Sequence, residues 1–355
     1  MRSAIRLLLA CAVLLLAACA SEPMEMRLQP PPGASGVLFP APDTQETPRY
    51  RFVGNLVGET NFQPKDGGSR SAGRRLFAWI AGLDDGTEQP LVLVRPQSGL
   101  VDKFGRVLVT DVGRAAIMVF DEANGKLSVW DRATRNDRFE SPIAITLGRE
   151  SEVLVTDSDL GRVFRLGADG SPRGEFGTGV LQRPTGIVRD AARGRIYVAD
   201  THAHDIKVFD DEGRHLATWG APGEAPGELN YPTHLALSDG VLVVADSMNA
   251  RIQGFDRDGK LVLRFGQRGL YVGNLVRPKG VAADDEGNLY VVESMHDTLL
   301  VFDRTGRLLM SLGGTDNENG RFHLPAGVWV DARNRVYVAD MFNGRVAVFQ
   351  FLGGN

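Results

Sequence analysis

From Pro96 onward the chain alternates short apolar runs with polar turns rich in Gly, Asp and Asn, and the alternation recurs at a fixed period. Six segments open at Pro96, Pro142, Pro184, Pro232, Pro278 and Pro325. Each passes through an alternating apolar stretch, a polar turn and a second apolar stretch that ends on an acid. The acids are Asp111, Asp157, Asp200, Asp246, Glu293 and Asp340, spaced 46, 43, 46, 47 and 47 residues apart. Arg195-Ile-Tyr-Val-Ala-Asp200 and Arg335-Val-Tyr-Val-Ala-Asp340 show the pattern best. A third run follows each acid, as in Arg251-Ile-Gln-Gly-Phe-Asp256, and a turn such as Arg257-Asp-Gly259 leads to a fourth. Period-two alternation of β-branched and aromatic residues between turn residues predicts strands.

Four strands in about 46 residues, repeated in register, are the sequence form of a β-propeller blade. One such blade is apolar on both faces, so blades stack around an axis and bury one another. The repeats resemble the NHL-repeat family over residues 96–351, most fully in the string VADSMNARIQGFDRDGKLVLRFG from Val244 to Gly266. The expected fold is therefore all-β, a six-bladed propeller of four-stranded blades. After Arg345-Val-Ala-Val-Phe349 the sixth repeat lacks its fourth strand, while residues 49–57 read as a fourth strand with no blade before them. The N-terminal strand is expected to complete the C-terminal blade, which removes two unpaired edges. The propeller then occupies 49–355. Its insert at 58–95 is too long for a turn and places Leu76, Ile80 and Leu83 at helical spacing between Arg74 and Leu83. That pattern predicts a short amphipathic helix, although Arg70, Arg74 and Arg75 at its start oppose the helix dipole.

The N-terminus reads as a targeting segment. Arg2 and Arg6 precede and interrupt an apolar run too short to cross a bilayer of about 30 Å, and the run ends at Leu16-Ala17-Ala18-Cys19. This resembles the bacterial lipobox, which implies a signal peptide over 1–18 and acylation of Cys19. Ala20 rather than an aspartate follows, which implies sorting to the outer membrane, facing the periplasm or the cell surface. Residues 20–48 hold 7 of the 18 prolines, including Pro30-Pro31-Pro32, and are expected to form an extended spacer that packs no core.

Composition narrows the function classes. Lys plus Arg number 40 against 44 Asp plus Glu, so no cationic excess exists for a nucleic-acid backbone. Loss of Arg2 and Arg6 with the signal takes the net charge from -4 to -6. Cys11 leaves as well, so the mature chain has one cysteine and no disulfide. A monomer attached to the envelope through lipid is expected.

Candidate chemistry belongs on the face where each first strand starts and each second strand ends. Two residues past each opening proline stand Ser98, Ala144, Gly186, His234, Gly280 and Gly327. Most are small, as crowding near an axis requires, and His234 is expected to point into the channel mouth with His202 nearby. The recurring acids read as scaffold, because a carboxylate at a strand end accepts main-chain N–H groups and a catalytic group is needed only once. Two residues past each acid stand Gly113, Asp159, His202, Met248, Met295 and Phe342. Met248, Met295 and Phe342 fall on consecutive loop tips and predict an apolar binding patch. Propellers resembling this one include the peptidyl-hydroxyglycine amidating lyase and calcium lactonases. The lyase resemblance would place zinc-binding histidines directly after the opening prolines, where this chain has Gln97, Ile143, Thr185, Thr233, Lys279 and Ala326. No catalytic residue, metal or other cofactor is expected. The sequence reading is a noncatalytic scaffold binding a protein or an envelope polymer such as a polysaccharide, with a metal-dependent lyase or lactonase as the alternative.

Overall fold

The computed structural model describes residues 24–28, 36–41, 46–65, 89–314 and 320–353. The first blade consists of Pro96–Val101, Val107–Asp111, Ala116–Asp121 and Lys126–Trp130, each antiparallel to the one before. The same meander recurs over 142–176, 184–219, 232–265 and 278–313. In the sixth sheet Val328–Val330, Arg335–Asp340 and Arg345–Phe351 are followed outward by Tyr50–Leu56 from the start of the chain. Val346 faces Leu56 and Gln350 faces Arg51, antiparallel. The ring thus closes by strand exchange between its ends, as the missing sixth-blade strand required.

Alternation along each strand explains the stacking. In the second strand of blade three, Ile196 and Val198 join the core shared with blade two, while Tyr197 and Ala199 join the core shared with blade four. Six apolar clusters result among the described residues, one at each junction of neighbouring blades. The outer rim follows its own rule. The aromatic ending the fourth strand seats against a glycine in the next blade's last hairpin turn. A β-carbon on Gly170 would stand 2.5 Å from the Trp130 ring, on Gly213 2.6 Å from Phe176, on Gly259 2.8 Å from Trp219, and on Gly306 2.4 Å from Phe265. Trp130 and Trp219 are packing residues for this reason.

The spacer expectation needs correction over two stretches. Met24–Met26 pairs antiparallel with Phe62–Pro64, and Met24, Met26 and Leu28 pack against the core at the junction of blades six and one. Buried Asn61 ties this piece down, donating to Arg27 O and Asn55 O at 2.8 Å each. Leu38–Phe39 adds a fifth strand outside Tyr50–Leu56, and the Phe39 ring meets Phe349 edge-on at 5.8 Å. The Pro30–Pro32 run, Cys19 and the Arg74–Leu83 segment lie outside the described residues.

Candidate functional site

The channel mouth is built on the recurring acids. All six are fully buried and accept N–H groups from residues just ahead of their own blade's proline. Asp111 Oδ2 accepts from Val94 at 2.6 Å, Asp200 Oδ1 from Arg183 at 2.8 Å, Glu293 Oε2 from Val276 at 2.8 Å, and Asp340 Oδ1 from His323 at 2.8 Å. Each acid therefore fixes the connection that enters its blade. In blades four and six a buried arginine adds an ion pair, Arg251–Asp246 at 2.7 Å and Arg345–Asp340 at 2.8 Å. Each of the six recurring carboxylates is thus held by hydrogen bonds.

Hydroxyls link blade to blade around the axis. Ser158 Oγ donates to Pro184 O at 2.6 Å and Thr201 Oγ1 to Pro232 O at 2.7 Å; Ser247 Oγ bonds Pro278 O in the same way. A second tier runs from Thr110 to Ile143 O, Thr156 to Thr185 O, Thr185 to Thr233 O and Thr233 to Lys279 O, at 2.6–2.8 Å. These bonds satisfy carbonyls freed where strand pairing shifts just after the prolines, as between Pro184↔Asp200 and Ile187↔Val198.

The position two past each proline faces the next blade. A β-carbon on Gly327 would stand 2.2 Å from Gln97 O, on Gly186 2.5 Å from Thr233 O, and on Gly280 2.8 Å from Ala326 O. Glycine is required there by close backbone approach. His234 carries a ring at this tier. It is 5% exposed, buried rather than standing on an open rim, and among the described residues neither ring nitrogen has a hydrogen-bond partner. Burial and the neighbouring Lys279 ammonium push the imidazole down to about 4. Burial, with Arg277 adding to it, pushes half-buried Lys279 down to about 8; its Nζ lies 4.0 Å from Met341 Sδ.

The loop tips stand clear of this layer. Met248, Met295 and Phe342 are 44%, 52% and 62% exposed. The Phe342 ring lies 4.9 Å from His323. His202 is exposed and sits 6.1 Å from the Tyr231 ring, and no hydrogen bond or ring contact joins it to His234 among the described residues. His204 is structural: at φ +57° its Nδ1 accepts the Tyr231 N–H at 3.3 Å. Two features went unread in the sequence. One is the buried charge of Lys279, a position otherwise notable only for lacking histidine. The other is Leu270-Tyr271-Val272, in the loop from blade four to blade five. Aligning that loop, Gly266 to Leu275, with Gly220 to Leu229 sets Leu-Tyr-Val against Glu-Ala-Pro. This contrast was available from the repeat register.

Among the described residues no group of three or more His, Cys, Asp and Glu is close enough to hold a metal ion. The positions after the prolines carry no histidine, so the residues present do not fit the zinc of the amidating lyase.

Residues 181–209 match the NHL repeat family. The protein Brain tumor of Drosophila melanogaster is 34% identical over 119 residues, which are 32% of this chain and 11% of that one. In the first three curated relatives the matched part is under a fifth of the longer protein. Among solved structures, virginiamycin B lyase of Staphylococcus aureus superposes with a TM-score of 0.56 at 17% identity, covering 74% of this chain and 99% of the lyase. A chain of a nidogen/laminin complex superposes at 0.53 with 20% identity, covering 70% and 89%. At these identities the structures share the fold alone. With six four-stranded blades in register, the chain is a six-bladed β-propeller whose third blade matches the NHL repeat.

Proposed function

We propose that this propeller is a noncatalytic binding scaffold of the bacterial envelope, anchored through an acyl chain on Cys19 and presenting its channel-mouth face to a protein or envelope polymer. The observation that carries this reading is the exposure of Met248, Met295 and Phe342 on loop tips of consecutive blades. Large apolar side chains at such positions contribute nothing to a core, and methionine adapts to a partner's contour. The committed state of all six acids speaks against general-base chemistry at the mouth. A nidogen/laminin complex includes a chain of similar fold, which makes a protein partner a natural use of the architecture. A lyase or lactonase reading has the shared fold, but the positions directly after the opening prolines carry none of the histidines that the amidating-lyase resemblance implies.

The test is crosslinking in intact cells with the wild type and with Met248→Ser/Met295→Ser/Phe342→Ser. Exposed substitutions each cost under about 1 kcal/mol in stability, whereas interface energy concentrates in a few anchors. The triple variant should fold, melt near the wild type and lose the captured partner. Retained capture, or a melting point far below the wild type, refutes the patch. Separately, Cys19→Ser should abolish labelling by a palmitate analogue and release the chain from membranes.

A further inference from the structure

Two connections of the ring share one construction. In the loop before blade four, Pro222 bridges Leu229 in parallel, Gly223 N donates to Leu229 O at 3.1 Å, and Leu229 N to Ala221 O at 2.8 Å. In the loop before blade five, Arg268 bridges Leu275, Gly269 N donates to Leu275 O at 3.3 Å, and Leu275 N to Gln267 O at 2.9 Å. Leu229 and Leu275 are the buried feet of the two loops. The tips differ in character. The first carries Glu224-Ala225-Pro226 and the second Leu270-Tyr271-Val272. Since the first folds with a polar tip, folding does not demand apolar residues in the second.

Yet Leu270, Tyr271 and Val272 are 86%, 83% and 75% exposed, the three most exposed large apolar side chains described. The loop that holds them is braced. Asn274 N donates to Tyr271 O at 2.9 Å, Gln267 Nε2 to Asn274 Oδ1 at 3.2 Å, and Arg268 Nη2 to Met248 O at 2.7 Å. The last bond ties it to the channel-mouth face. Charge along the chain on either side of it is one-sided. Residues 259–283 contain Lys260, Arg264, Arg268, Arg277 and Lys279 and no acid, in a chain whose net charge is -4. Arg264, Arg268 and Arg277 are exposed and have no carboxylate partner among the described residues.

We propose that this loop docks on an anionic lipid surface. Leu270, Tyr271 and Val272 enter the boundary between headgroups and acyl chains, and Arg264, Arg268 and Arg277 meet the lipid phosphates. An apolar tip above unpaired cations is the arrangement that partitions into a charged interface, and tyrosine suits a depth where one end is dry and the other wet. A protein hot spot would call for a concave, mixed-polarity partner surface. A three-residue tip that is 75–86% exposed and flanked along the chain by one sign of charge matches the planar, negative face of a bilayer instead. Docking here would turn the channel mouth toward the membrane, and it depends on neither Cys19 nor the Met248 patch.

The test places an environment-sensitive dye on the full-length protein through Tyr271→Cys, with Cys11→Ser and Cys19→Ser so that one thiol remains. A matched protein carries Ala225→Cys on the equivalent loop. Vesicles of phosphatidylcholine are compared with vesicles that also contain phosphatidylglycerol, both bearing a shallow nitroxide quencher. The dye at 271 should shift to the blue and be quenched on phosphatidylglycerol vesicles, while the dye at 225 should not. Salt should weaken the effect. Leu270→Ser/Val272→Ser should reduce partitioning on the order of tenfold or more without moving the melting point. The Met248, Met295 and Phe342 substitutions should leave the shift intact, which separates this result from the partner reading. Equal signals at 271 and 225, equal shifts without phosphatidylglycerol, or a shift produced only by a soluble protein partner would each overturn the proposal.

Discussion

His234 and Lys279 are neighbours that both favour losing charge in the folded state. The imidazole is held near 4 against an ordinary value of 6.5, so the unfolded chain binds a proton there that the folded chain refuses. Its contribution to stability is full above pH 6.5 and is lost as pH falls through about 4. His234→Phe should flatten that part of the profile. Denaturant midpoints of both proteins from pH 7 to pH 4 check this; parallel declines would show that other groups carry the slope. Lys279 has the same sign at higher pH: with its folded value near 8 against 10.5 unfolded, its contribution is absent at neutral pH and returns only as pH rises past 8. Its ammonium is buried with no carboxylate beside it among the described residues, and below pH 8 the fold must tolerate it charged. Lys279→Met should raise stability at pH 7 on the order of 1 kcal/mol, read as a higher melting temperature that narrows toward the wild type above pH 10. A lower melting temperature would mean the ammonium has a partner that these contacts do not include.

The elements at the seam answer to a graded truncation. Removing residues 49–57 deletes the outer strand of blade six together with Phe52 and Leu56, both fully buried, and bares the edge of Arg345–Phe351. That protein should aggregate, seen by light scattering. Removing 24–48 deletes the short strand pairs at Met24–Met26 and Leu38–Phe39 and the Phe39–Phe349 contact. It should remain folded but melt measurably lower, by a few kcal/mol at most. An unchanged melting point would return this segment to the role of plain spacer. The sequence misjudged it for a definite reason. Pro30-Pro31-Pro32 dominates the composition of 20–48, whereas the strand-forming pieces on either side find partners remote in sequence, Phe62 and Phe349 among them. Long-range pairing leaves no local period. The blades were legible because their period lies within each repeat, and the acids because one residue recurs where one backbone bond recurs. The mouth was legible only in part. Met248, Met295 and Phe342 occupy a slot fixed by counting from an acid, while Leu270–Val272 stand out only when their connection is aligned with the one other of its length, Gly220–Leu229.

At the scale of the whole molecule every junction is built alike, with an apolar cluster between sheets and hydroxyl bonds near the axis across several of them. Only the junctions beside blade six depend on both ends of the chain. The pairing of Leu56 with Val346 joins residues roughly 290 apart, a separation that makes ring closure the slowest contact to form. Synthesis runs from the N-terminus, so Tyr50–Leu56 is among the first strands made, while its inner edge is the last to be paired. Until Arg345–Phe351 has been added, its buried Tyr50, Phe52 and Leu56 have no sheet to join. A nascent chain of this protein therefore carries an unclaimed sticky edge for the whole time of its own translation, and a holding factor that binds extended apolar segments would find its target there.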